Sequence, residues 1–411
     1  MRYAGILCFS ILCILLTIGT ADLRGADDNF VWTAKADVPA RTPIFLNRTL
    51  DPESDCQLIE VETGLGLPLQ QHGDQWVALL PRDIAAGETI DFNVLPRVES
   101  ETASPVFECL EQDGLLIVKN RGKDVFHYHV DVMEPPAGQN PIYRRSGYIH
   151  PLYTPNGSEV TGDFAEDHPH QHGLMYAWTN TTYQGRKVDF WNQAAGLGRI
   201  EHREILRTTV GPIFAEIAVK IAHVDLTSGT PIDVLHEIWT LRVYDIGADA
   251  ENGVTPDYII DFESVQTAVT EEPLQIKEYH YGGFAIRGNE TWLGKIDDLM
   301  YTSENQERIT GNHSRPNWVR MGGKLGPQQS ASVLLISHER NFRAPVPVRL
   351  HPAKPYFCWA PLVLGDFEIS QQKPLRSRIR IAISDHLQGI EKANAFYQSF
   401  SHPILLGGES K

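Results

Sequence analysis

Four consecutive strand-like runs, His202–Thr209, Ile213–Val224, Val234–Tyr244 and Asp257–Val269, are joined only by Gly-, Pro- and polar-rich turns. This feature constrains the fold more than any other. Long strands that follow one another without crossover helices imply an antiparallel sheet, not a βα fold. Similar runs occur at Gly114–Lys119, Val125–Val130, Gly282–Arg287, Ser332–His338 and Arg378–Ser384, rich in the β-branched and aromatic residues that suit a pleated surface. The one helical stripe sits near the end, where Ile390, Ala393, Phe396 and Tyr397 recur at helical spacing. The expected fold class is therefore mainly β, a large antiparallel sandwich.

Ahead of it, residues 30–98 carry shorter strand patterns: Gln57–Glu62, Gln75–Pro81, and an edge strand following the turn in Ala85–Val94. They read as a small β-sandwich domain. The polar segment Glu99–Pro105 marks the boundary, and residues 106–405 form the large unit. Residues 1–21 read as a signal peptide: Arg2, an apolar stretch from Ala4 to Ile18, then Gly19-Thr20-Ala21. The expected location is outside the cytoplasm, periplasmic or extracellular, with no stable membrane insertion after cleavage. Of the three cysteines that follow, Cys56 and Cys109 are the expected disulfide pair. A formal net charge of -16 over 411 residues argues against nucleic acid as a partner. It suits a soluble protein whose ligand is neutral or small, and the clusters below make a saccharide or another small polar substrate the expected partner; the oligomeric state is not legible.

The chemistry concentrates in Asp163-Phe-Ala-Glu-Asp-His-Pro-His-Gln-His-Gly-Leu-Met. In an extended segment, favoured here by Pro169, His168, His170 and His172 would share one face at intervals of roughly 6–7 Å. Such a row can transfer protons near neutrality, or hold a divalent ion such as Zn²⁺ or Ca²⁺. A second cluster holds Arg144, Arg145, Tyr148 and His150, whose guanidinium forks suit carboxylate or hydroxyl oxygens. A third places Trp191 beside Asp189 and Asn192, a way to stack a sugar and bind its rim, whereas Trp178 reads as core. A fourth, Glu278-Tyr-His-Tyr-Gly-Gly-Phe-Ala-Ile-Arg, contributes His280 and Arg287. The expected catalytic residues are His170, His172 and His280, and the expected substrate contacts Arg145, Tyr148, His150, Trp191 and Arg287. Nucleophile elbows and phosphate or dinucleotide fingerprints are absent.

The stretches Arg145-Ser-Gly-Tyr-Ile-His-Pro-Leu-Tyr-Thr-Pro-Asn-Gly, Asp167-His-Pro-His-Gln-His-Gly-Leu, Asp189-Phe-Trp and Tyr281-Gly-Gly-Phe-Ala-Ile-Arg resemble the exported bacterial proteins of the PmoA family, labelled "methane oxygenase". The resemblance implies a supersandwich like that of galactose mutarotases and a place among carbohydrate-active systems. Methane oxidation is not expected. It belongs to bundles of membrane-spanning helices, and this chain has one removable apolar segment. The leading expectation is an exported carbohydrate-active protein with lyase, hydrolase or epimerase chemistry in a cleft lined by His, Arg and Trp. The alternatives are a divalent-metal enzyme using His168, His170 and His172, and a non-catalytic saccharide-binding surface protein.

Overall fold

A computed structural model describes residues 29–48, 50, 56–96, 105–247, 256–294 and 299–407; the segment 1–21 expected to be a signal peptide lies outside them. The fold is mainly β, with large antiparallel sheets as the turn-linked runs require. One eight-stranded sheet, the long sheet, runs in the order Gly198–Val210, Phe214–Asp225, Ile232–Tyr244, Tyr258–Ala268, Leu375–Ser384, Ser330–Ser337, Trp318–Lys324, Met300–Thr302. A second, the site sheet, runs Val348–Leu350, Tyr356–Trp359, Gly283–Arg287, Leu174–Ala177, Ile149–Leu152, Lys123–His129, Leu115–Asn120, Phe107–Gln112.

The two sheets enclose the principal core. The long sheet contributes Ile217, Val219, Leu241 and Phe262, and the site sheet contributes Val118, Tyr128, Met175 and Ile286. Tyr258–Ala268 shows the expected alternation of buried and half-buried positions. Phe214–Asp225 is buried almost throughout, because its other face is also covered. There Val77, Leu79, Phe214, Tyr244, Leu334 and Ala382 meet Ala393 and Phe396 of the helix Ile390–Ser401 in a separate cluster. Ala393 and Phe396 thus fulfil the helical stripe, while Ile390 at its start stays exposed. Trp178 is core, as expected, its indole N–H donating to Gln266 Oε1 at 2.6 Å.

The N-terminal unit stacks the sheet Asn29–Thr33, Thr89–Pro96, Cys56–Glu60, Gly66–Pro68 on the sheet Ile404–Leu406, Pro43–Leu46, Gln75–Leu79, Gln70–His72. Its Ile404–Leu406 strand comes from the far end of the chain and pairs in parallel with Pro43–Leu46. Thr89–Pro96 is a central strand, not the expected edge, since it pairs with Asn29–Thr33 on one side and Cys56–Glu60 on the other. Its alternation of exposed and buried residues matches one-sided burial, which edge and central strands share. Cys56 and Cys109 do not form the expected disulfide. Cys56 begins a strand of the N-terminal sandwich and Cys109 sits on the outermost strand of the site sheet.

Candidate functional site

The histidine segment is not extended. Two tight turns follow each other, closed by His168 N–H to Ala165 O (3.1 Å) and Gln171 N–H to His168 O (2.9 Å). Pro169 takes the second position of the latter turn, where its fixed φ fits, so the residue expected to extend the chain bends it. The loop is anchored to the strand Gly283–Arg287 through Arg287 N–H to Gly173 O (2.7 Å) and Gly162 N–H to Arg287 O (3.0 Å). Gly173 is obligatory: its φ is +27°, and a Cβ there would lie 1.9 Å from Ile149 O. The turns keep His168 and His170 in ring contact but send His172 inward. His168 and His170 remain half-buried, whereas the His172 side chain is 0 % exposed.

His172 belongs to an inward network. Its Nδ1 donates to Asp163 Oδ1 at 2.6 Å and its Nε2 to Gln193 Oε1 at 3.1 Å. The Gln193 amide is oriented by its own N–H donation to Arg144 O at 3.0 Å. Both ring nitrogens are thus engaged by partners inside the fold. Tyr148 O–H donates to the other Asp163 oxygen at 2.7 Å. Burial raises the Asp163 carboxyl, but His172, His150 and Tyr148 outweigh it and hold the group below its ordinary value. Tyr148 stacks on His129, ring centroids 4.2 Å apart, and His129 donates to His150 O at 2.7 Å. Burial pushes His129 down to about 4. His150 meets Thr161 Oγ1 at 3.0 Å. Arg145 is buried between the sheets, donating weakly to Tyr176 O at 3.4 Å, with Nε and Nη1 unpartnered. Burial lowers its guanidinium to about 10.

The outward side is organised by Asp167, which receives Arg287 Nη2 at 3.0 Å, Lys354 Nζ at 2.7 Å and the His168 ring at 3.1 Å. Arg287 also donates to Gln171 Oε1 at 3.0 Å and to Glu290 Oε1 at 2.8 Å. Its guanidinium is buried and clamps the loop to the sheet. Around this clamp the rings form a continuous row. His168 lies 5.6 Å from His170 and 5.5 Å from His351, and His351 lies 6.1 Å from Tyr356. Tyr356 lies 5.8 Å from Trp191, Trp191 5.5 Å from Tyr281, and Tyr281 4.8 Å from His280. Trp191 is buried, in ring contact with both tyrosines, of which Tyr356 is buried as well. Asp189 shapes the turn beside it by accepting the N–H groups of Trp191 (3.0 Å) and Asn192 (2.8 Å).

Burial, helped by His168, His172 and Arg287, pushes His170 down to about 4. Burial with Arg349, His168 and Lys354 does the same to His351, again to about 4. Both rings are therefore neutral at pH 7. His280 is exposed and lowered by desolvation, then by Arg349 and His313. Arg349 thus acts on both His351 and His280, with Tyr356, Trp191 and Tyr281 between them in the row.

Of the residues singled out in sequence, His168, His170, His280, Trp191 and Arg287 belong to one connected row and its clamp. Tyr148, His150 and His172 join the network around Asp163, and Arg145 faces the sandwich interior. His351, Arg349, Lys354 and Asp163 were missed. The first three lie in Arg349-Leu-His-Pro-Ala-Lys, a scattered basic stretch without the H-x-H spacing that drew attention elsewhere. Among the described residues, no group of three or more His, Cys, Asp or Glu stands in position to hold a metal ion. His172 is turned away with both nitrogens occupied, so the triplet does not fit a three-histidine centre.

Residues 116–398 match a family of unknown function, DUF6807, and the chain belongs to that family. The match takes in the row of rings, its clamp and the network around Asp163. No curated protein matches the chain.

Proposed function

We propose that the chain is an exported carbohydrate-active protein that binds a saccharide along the edge carrying His168, His170, His280 and His351. The carrying observation is the conjunction of His168, His170 and His351 at ring separations of 5.5–5.6 Å, with two of them neutral at pH 7. Neutral imidazoles both accept and donate hydrogen bonds, as sugar hydroxyls require. Tyr279 and Tyr281 flank His280 and offer ring faces for stacking. In this reading the buried Trp191 supports Tyr281. Arg287 and Asp167 position the loop, and Arg145, Tyr148, His150 and His172 stabilise the scaffold behind it.

As an enzyme, the site would act by proton transfer. His170 or His351 would take a proton from a sugar hydroxyl or an activated C–H, while Lys354 and Arg349 would stabilise charge developing on oxygen. Lyase, hydrolase and epimerase reactions all use such a pair of roles. The resemblance of the His and Gly-Gly segments to exported PmoA-labelled proteins agrees with a carbohydrate setting. No helix among the described residues is long and apolar enough to cross a membrane, and methane oxidation forms no part of the proposal.

The test is a screen of neutral and acidic oligosaccharides for binding and for product formation, with wild type, His170→Ala and His351→Ala. Loss of turnover in both folded variants supports the catalytic reading. Binding without product in the wild type assigns a saccharide-binding protein. Turnover unchanged in both variants removes the assigned roles.

A further inference from the structure

A cavity of about 580 Å³ lies between the N-terminal unit and the outward face of the long sheet, and its lining shares no residue with the histidine loop or its hydrogen-bond partners. Its floor is a charge ladder. Glu216, Arg242, Asp261 and Arg380 stand opposite one another across four adjacent strands, and Glu263 faces Arg378 beside them. Their chain neighbours Ile217, Leu241, Phe262 and Ile381 enter the sandwich core, so strand alternation turns the charged residues outward. Phe45, Leu405 and Phe400 contribute apolar walls.

Part of the ladder is internally satisfied. Arg380 holds Asp261 through Nε (2.7 Å) and Nη2 (2.9 Å), and Arg242 donates to Glu216 through Nε at 3.0 Å. The remaining arginines are only partly engaged. Arg207 touches Glu216, while Arg376 and Arg378 share Glu263 at 3.1 and 3.3 Å. Their side chains are 56, 54 and 39 % exposed. Five guanidiniums face three carboxylates in the lining, leaving two positive charges uncompensated in a chain of net charge -16. A ladder serving stability alone would reach neutrality more cheaply. The volume lies within the ~300–1,000 Å³ usual for small-ligand sites, which favour domain interfaces.

We propose that this cavity binds a small ligand bearing an oxyanion group, seated among Arg207, Arg376 and Arg378. Arg242 and Arg380 form the floor, held in place by Glu216 and Asp261. The planar guanidinium fork matches carboxylate, sulfate and phosphate alike. The site is independent of the histidine edge and of any chemistry there.

Calorimetric titration of the full chain at low salt with sulfate, digalacturonate and the neutral disaccharide cellobiose tests this. An anionic probe should bind, and should bind more weakly as NaCl is raised. Its affinity should fall roughly tenfold or more in Arg376→Gln/Arg378→Gln, with any cellobiose response unchanged. Tighter binding of digalacturonate assigns an acidic saccharide, and tighter binding of sulfate assigns an inorganic oxyanion. If the double variant melts early, Arg207→Gln carries the same comparison. Failure of every anionic probe to bind, or equal affinity in wild type and variants, overturns the proposal.

Discussion

Asp167 shows how one carboxylate can organise a polar edge. It joins the buried Arg287, Lys354 and His168, and these contacts, opposing the penalty of burial, hold its carboxyl well below the ordinary range. Because its folded value is depressed, its contribution to stability is present at neutral pH and lost as acid protonates it. Asp167→Asn should cost about 1–3 kcal/mol, the usual penalty for a buried donor losing a partner, measured by urea unfolding at pH 7. His170 and His351 work in the same direction by a different route. Their folded values of about 4 lie below the ~6.5 of an unfolded imidazole, so the unfolded chain binds more protons between those limits. Stability should therefore fall as pH drops from about 6.5 to about 4. Replacing either ring by Gln should flatten that slope. His172 differs: His172→Ala strips the buried Asp163 of a hydrogen-bonded partner inside the fold and should destabilise by about 1–3 kcal/mol. Its effect on activity must accordingly be read with a melting curve alongside.

At the scale of elements, the strands of the sandwich were legible because alternation and turn residues report one-sided burial directly. Tyr258–Ala268 and Leu375–Ser384 lie within two or three residues of the runs Asp257–Val269 and Arg378–Ser384. The histidine loop was legible as a cluster but not as a shape. Pro169 restricts φ in extended strands and turns alike, and only the hydrogen bonds to Ala165 and His168 decide between them. His351 and Lys354 were invisible for a related reason. Their contacts with His168 and Asp167 cross more than 180 residues of sequence, a separation no local pattern records. The strand Ile404–Leu406 was equally hidden, being three residues long. Its Ile404 and Leu406 are buried in the N-terminal core, so Leu406→Ala should cost about 2–5 kcal/mol. Limited proteolysis should then cut the N-terminal unit before the large sandwich.

For the whole molecule, two polar regions lie at separate places on one β scaffold: a row of imidazoles and aromatic rings beside the site sheet, and an arginine-rich cavity on the long sheet's outer face. The first carries the functional proposal. It is tested most directly by titrating glycan-screen hits into wild-type protein and a His170→Ala/His351→Ala variant, following the ring resonances of the remaining histidines. The account predicts saturable shifts at His168 and His280 in the wild type and at least roughly tenfold weaker binding in the variant. Shifts confined to other parts of the molecule, or equal affinity in the two proteins, would contradict it.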